Sequence, residues 1–160
     1  MCIRDRDTPL EILSSIEKSK IYTIAVTNTP SVFKFSYDLT KNKKYIKAAL
    51  GLHPELVHQR AVELMLFKKY IKLTRYIGEV GLDFSPRNLS SKNKQIKIFE
   101  QIIKICADAG DKILTIHSRR AEKEVINIIG DNFSGKVILH WYSGSIKNLE
   151  KALKLSLIHI

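Results

Sequence analysis

The stretch Tyr76-Ile77-Gly78-Glu79-Val80-Gly81-Leu82-Asp83-Phe84, YIGEVGLDF, closes an apolar run with a carboxylate set between two glycines. RYIGEV (75–80) has the length and the branched, aromatic content of a buried strand. Four other runs share that character: IYTIAVTN (21–28), YIKAAL (45–50), KILTIH (112–117) and KVILHW (136–141). Helical patterns separate them. Thr8-Pro9-Leu10 reads as a cap followed by proline in a first turn, with Leu10, Leu13 and Ile16 continuing to about Lys20. A second helix opens at Pro30, and Val62, Leu66, Lys69 and Leu73 fall at helical spacing between about Val57 and Lys72. A longer amphipathic helix begins at Ser90 or Ser91, aligns Ile96, Phe99, Ile102, Ile103 and Cys106, and stops near Gly110. Two more helices cover AEKEVINII (121–129) and about 146–155.

Strands that alternate with helices and are apolar throughout specify a parallel sheet covered by helices, an α/β fold. Five such strands suit either an open doubly wound sheet or part of an eight-stranded barrel. Periodicity does not choose between them.

The polar residues fall in a pattern. His53 lies just past YIKAAL, Glu79 near the end of the YIGEV run, and His117 and His140 at the ends of KILTI and KVIL. In a parallel sheet these ends open on one face, where α/β enzymes build their sites. Two imidazoles and a carboxylate suit Zn²⁺, Mn²⁺ or Fe²⁺, and three protein ligands with an open position describe a catalytic site. Gly78 and Gly81 are expected to let the backbone approach the ion or its substrate. Each residue also has a plainer reading. A histidine at a strand end caps or half-buries itself more often than it binds metal, and Glu79 alone could be a surface charge. GLHP around His53 could be turn chemistry only. Asp83 could pair with Arg87 or orient a ligand from behind. Arg119 could grip a phosphate or pair with Glu122. His58 and His159 match no strand end.

Charge and composition narrow the partners. The chain carries 27 Lys and Arg against 16 Asp and Glu, a formal net charge of +11. That balance favours an anionic partner, nucleic acid first, unless the dispersed lysines are only solvated helix faces. No apolar run approaches the ~20 residues of a membrane span, and Cys2 and Cys106 form no CxxC pair. A soluble, cytoplasmic protein in a reducing compartment is expected.

GLHPELV (51–57), IGEVGLDFS (77–85), the 95–99 segment, IHSRRAEKEVINII (116–129) and ILHWYSGSIKNLEKAL (138–153) resemble, in order and spacing, the successive motifs of TatD-family metal-dependent hydrolases. The Trp141-Tyr142 pair together with GLHPEL looks most like the TatD-type nucleases of Qat anti-phage systems, which implies defence-system partner proteins. The family resemblance implies an incomplete TIM (β/α)8 barrel of the metallo-dependent hydrolase type that cleaves phosphodiester bonds of DNA. By motif, Glu79 matches a glutamate bridging two divalent ions (Mg²⁺, Mn²⁺ or Zn²⁺), and His117 and His140 match histidines of one of them. His53, Asp83 and Arg119 match positions lining the site. The family's first-strand DxHxH and last-strand Asp have no counterpart here, so one ion at most is well supported and this chain is expected to be inactive. Two other readings stay open: hydrolysis of a small anionic ester or amide on the same barrel, and a noncatalytic basic module that binds nucleic acid.

MCIRDR (1–6) and LSLIHI (155–160) resemble translated sequencing-adapter read-through, which leaves 7–154 as the partial barrel. Five of eight strands cannot close a barrel, and the two open edges would expose unpaired backbone and apolar faces. The 160-residue chain is therefore expected to express poorly in soluble form, checked by size-exclusion chromatography and thermal melting. A soluble monomer with a cooperative melt would contradict this expectation.

Overall fold

The computed structural model describes residues 9–154 and the backbone of 158–159. Proline opens α1 (Pro9–Ser19) and α2 (Pro30–Thr40), where its missing N–H is not needed. They flank β1 (Thr23–Val26), and β2 (Ile46–Ala49) follows α2. After an interrupted helical stretch come β3 (Tyr76–Gly81), α5 (Lys92–Ala109), β4 (Ile113–His117), α6 (Glu122–Ile129), β5 (Lys136–His140), α7 (Ile146–Lys154) and β6 (Ile158–His159). The expectation that 1–6 is non-native concerns residues outside those described. The same holds for 155–157 and 160.

All strand pairs are parallel, and the strands follow chain order. One ladder joins β1 to β2 and another joins β3, β4, β5 and β6. A bridge between Leu50 and Ile77 links the two. Parallel strands in unbroken chain order suit part of a barrel, whereas a doubly wound sheet reverses its strand order. The core gathers Leu50, Leu52, Ile77, Val80, Leu82, Leu114, Ile116, Val137 and Leu139 from the strands and the residues just after them with Phe33, Phe67, Phe99, Ile102 and Val125 from the helices. A small second cluster of Leu13, Ala25 and Ile46 seats α1.

The stretch from 54 to 73 departs from the single helix that its spacing predicts. It alternates 3-10 turns with α3 (Val57–Arg60) and α4 (Leu64–Tyr70). Each switch between three and 3.6 residues per turn rotates the buried stripe, so Val57, Leu64, Phe67 and Ile71 point inward. Val62, placed on the apolar face by spacing, is 74% exposed.

Three backbone devices hold the strand ends. Thr27 Oγ1 donates to the Ala49 carbonyl at 2.8 Å and accepts from the Gly51 amide at 3.1 Å. The Thr27 amide donates to the Gly78 carbonyl at 3.0 Å, and the Glu79 amide donates back to Thr27 O at 3.1 Å. At the opposite end of the sheet, Lys112 is buried and its Nζ donates to the carbonyls of Ile71 and Thr74 at 2.8 and 2.9 Å. These bonds replace water for a charge taken into the interior.

Gly51 sits where no side chain fits: a Cβ there would lie 1.7 Å from Thr27 O, 2.6 Å from Gly78 O and 2.7 Å from Glu79 N. All three are backbone atoms, so nothing can rotate away. Gly51→Ala is expected to cost about 3 kcal/mol, the upper range for overpacking, measured by urea unfolding. A second expectation concerns Cys106, buried within α5. Burial, opposed weakly by Lys112, pushes its thiol pKa from 9.0 to about 12. The folded state therefore keeps this proton where the unfolded chain has lost it. Stability should fall as pH rises from about 9 toward about 12, and in a Cys2→Ser variant the remaining thiol should react with a disulfide reagent only on unfolding. Prompt reaction of the native protein would count against this account.

Candidate metal centre

Glu79 enters the site because β3 is pinned from both sides, by Thr27 and by β4. The Gly78–Glu79 peptide is cis. Gly81, at φ +137°, passes so close to β4 that a Cβ would lie 2.0 Å from His117 O, and the Leu82 amide donates to that oxygen at 2.9 Å. The two glycines thus make room for neighbouring backbone, with Gly78 facing Thr115. The close approach observed at both is to the neighbouring strand β4.

Across that contact His117 meets two carboxylates. Its Nδ1 lies 2.8 Å from Glu79 Oε1 and its Nε2 lies 2.9 Å from Asp83 Oδ2. The ring donates to both only when doubly protonated. Burial lowers its pKa, but the bonds to Glu79 and Asp83 outweigh burial and raise it above the ordinary value. Burial by itself pushes Glu79 upward, yet hydrogen bonding to His117 and then His53 holds its carboxyl well below the usual range. Asp83 is fully buried. There, too, burial raises the pKa, and hydrogen bonds from Ser85, Asn88 and His117 bring it down to about 2. Both acids are ionised at neutral pH.

His53 completes the cluster. It caps the 3-10 turn Pro54–Leu56, its Nδ1 accepting from the Glu55 amide at 3.3 Å, and its Nε2 lies 3.6 Å from Glu79 Oε1. The turn contact expected of GLHP is present, and the same side chain also faces Glu79. Its ring meets that of His117 edge to face at 4.9 Å.

Among the described residues, His53, Glu79 and His117 each offer a ligand atom within 4.8 Å of the others. Two imidazole nitrogens and an ionised carboxylate fit a borderline divalent cation, whose positive charge would stand beside the Glu79 and Asp83 carboxylates. His140 is in register with His117 across the β4–β5 ladder and borders the same cavity. It is outside that group of three. Its ring lies on Trp141, centroids 5.9 Å apart and planes 20° apart.

The remaining residues take these places. Asp83 faces His117, while Arg87 bonds Glu55 instead. Arg119 lines the cavity, and Glu122 accepts from Ser143 Oγ. Spacing gave no role to Gln95, which is fully buried on α5. Its Oε1 accepts from the Asp83 amide at 2.8 Å, and its Nε2 donates to Asp83 O at 3.0 Å. An amide on the apolar face of an otherwise regular helix was the available signal. The cavity above these groups holds about 730 Å³ and is rimmed by Trp141, Tyr142 and Ser143.

The chain is similar to several known proteins. A Buchnera aphidicola subsp. Baizongia pistaciae (strain Bp) protein described as an uncharacterized metal-dependent hydrolase is 29% identical over 135 residues, 82% of this chain and 50% of that protein. Human deoxyribonuclease TATDN3 is 28% identical over 156 residues, 88% and 56% respectively. The chain spans about half the length of these curated relatives. The crystal structure of YJJV, a TatD homolog from Escherichia coli K12, superposes with a TM-score of 0.81 at 20% identity, covering 99% of this chain and 64% of that one; the fold is shared. Because the model of the TatD related DNase family matches residues 3–159, the chain belongs to that family.

Proposed function

We propose that this site holds a divalent cation and hydrolyses phosphodiester bonds of DNA in the protein to which the chain contributes. The observation that carries the reading is the 2.8 Å approach of Glu79 to His117, with His53 beside them and Asp83 behind. Buried charges are gathered in this way where they balance an ion.

Glu79, His117 and His53 would hold the cation, and His140 on the adjoining strand is proposed as a further donor at the rim. Such an ion, Mg²⁺, Mn²⁺ or Zn²⁺, supplies Lewis acidity toward a phosphoryl oxygen and acidifies water. Asp83 fixes the orientation of the His117 ring through Nε2, and Gln95 fixes the Asp83 backbone in turn. Arg119, at the cavity wall, can meet a phosphate with a planar fork of donors. The net charge of +11 supports DNA as the partner. Among the described residues no helix is long and apolar enough to cross a membrane.

Two expectations follow from the cluster. Mn²⁺ should raise the melting temperature of the chain by mass action, and His117→Ala should abolish the shift; equal shifts in both, by scanning calorimetry, would place the ion elsewhere. In the whole protein to which the chain contributes, Glu79→Gln should lower chelator-sensitive degradation of a labelled DNA strand by roughly 10²-fold or more. Degradation that persists unchanged in that variant removes Glu79 from the reaction, and DNA binding indifferent to chelator and to Glu79→Gln favours the noncatalytic basic module.

A further inference from the structure

Gln95 does not border the cavity, yet it is fully buried, on the face of α5 that also buries Ile98, Phe99 and Ile102. A helix that needed only packing there would carry Leu or Met, because an amide brought inside has to replace its water on every side. Gln95 does so within one loop. Its Oε1 accepts from the Asp83 amide at 2.8 Å, and its Nε2 donates to Asp83 O at 3.0 Å. The same nitrogen reaches Asn88 O at 3.2 Å and Ser91 Oγ at 2.9 Å, and that hydroxyl donates to Asn88 O as well, at 2.9 Å.

From Asp83 and Asn88 the bonds fork. On one arm Asp83 Oδ2 meets His117 Nε2 at 2.9 Å. On the other, Asn88 Nδ2 donates to Glu55 Oε1 at 3.3 Å, and the Glu55 amide donates to His53 Nδ1 at 3.3 Å. The arms end on the two imidazoles of the candidate metal group, whose ring centroids lie 4.9 Å apart. A cation needs a nitrogen of each at about 2 Å at the same time, and neither the turn after β2 nor the loop after β3 has a strand ladder to keep that spacing. Helix α5, regular over 18 residues, supplies the fixed point. We propose that Gln95 is the positioning residue for both histidines, holding His117 through Asp83 and His53 through Asn88 and Glu55, so that one amide outside the cavity sets how tightly a cation is bound inside it. This rests on the reading that the cluster holds a cation.

The test uses the whole protein to which the chain contributes, carrying isotope-labelled histidine. Imidazole nitrogen signals, assigned through His53→Gln and His117→Gln, report ring placement by NMR without any metal. In the metal-free protein Gln95→Met should move both signals, Asp83→Asn that of His117 alone and Glu55→Ala that of His53 alone. Affinity for Mn²⁺, by titration calorimetry, should fall roughly 10- to 100-fold in Gln95→Met. A packing change on the same helix face, Ile102→Val, should leave the affinity and both signals as they are. Where Gln95→Met does not fold, Gln95→Glu takes its place with the same expectation, since it keeps an acceptor for the Asp83 amide and loses the Nε2 donor. Movement of only one ring when Gln95 is changed, parent-like Mn²⁺ affinity, or an equal loss in Ile102→Val overturns the proposal. A parent protein that binds no Mn²⁺ removes the cation reading; the fork then stands if both rings move and falls if they do not.

Discussion

The structure depends on backbone meeting backbone where the ends of β1 and β2 meet the middle of β3. Thr27, Gly51 and Gly78 approach so closely that their amides, carbonyls and one hydroxyl satisfy each other. Such an approach requires bare backbone at Gly51 and Gly78, and it leaves little freedom for the residue after Gly78. That residue is Glu79. Its position therefore follows from strand packing, and its ionisation from what β4 brings against it.

The charges in the site form a chain of dependence. Gln95 holds Asp83, Asp83 holds His117, and His117 faces Glu79. Each link places a charged or polar group inside only because the next one satisfies it. A cation would enter at the end of the chain, where proton and metal compete for the same nitrogen and oxygen atoms. Arg87 and Asn88 tie the loop after β3 to Glu55 in the turn after β2, so the two loops around His53 and Asp83 are fixed to one another.

Much of this was readable from residues alone. Runs such as KILTIH and KVILHW are β-branched and apolar enough to give strands in place, and a parallel sheet then brings their C-terminal residues to one face. Helix α5 kept its stripe because eighteen residues of uninterrupted α geometry preserve a 3.6-residue period. The 54–73 stretch did not, because alternating turn types shift phase without a sequence mark. In the site, the meeting of Glu79 with His117 follows from adjacent strands. That His53 closes on Glu79 while His140 lies over Trp141 depends on side-chain rotamers and on a left-handed backbone at residue 141. Neither has a pattern along the chain.

The separation of 38 residues between Glu79 and His117 also has a consequence for biosynthesis. At about 5–20 residues per second, ribosomal elongation takes about 2–8 s to add that length. Throughout this interval the acid has only His53 of its two imidazole partners, so the end of β3 stays hydrated on the side that β4 will cover and its final packing waits for that strand. The nascent polypeptide accordingly passes through a stage at which strand edges are open to chaperones, and ligand-binding competence arrives only after translation has passed the second histidine.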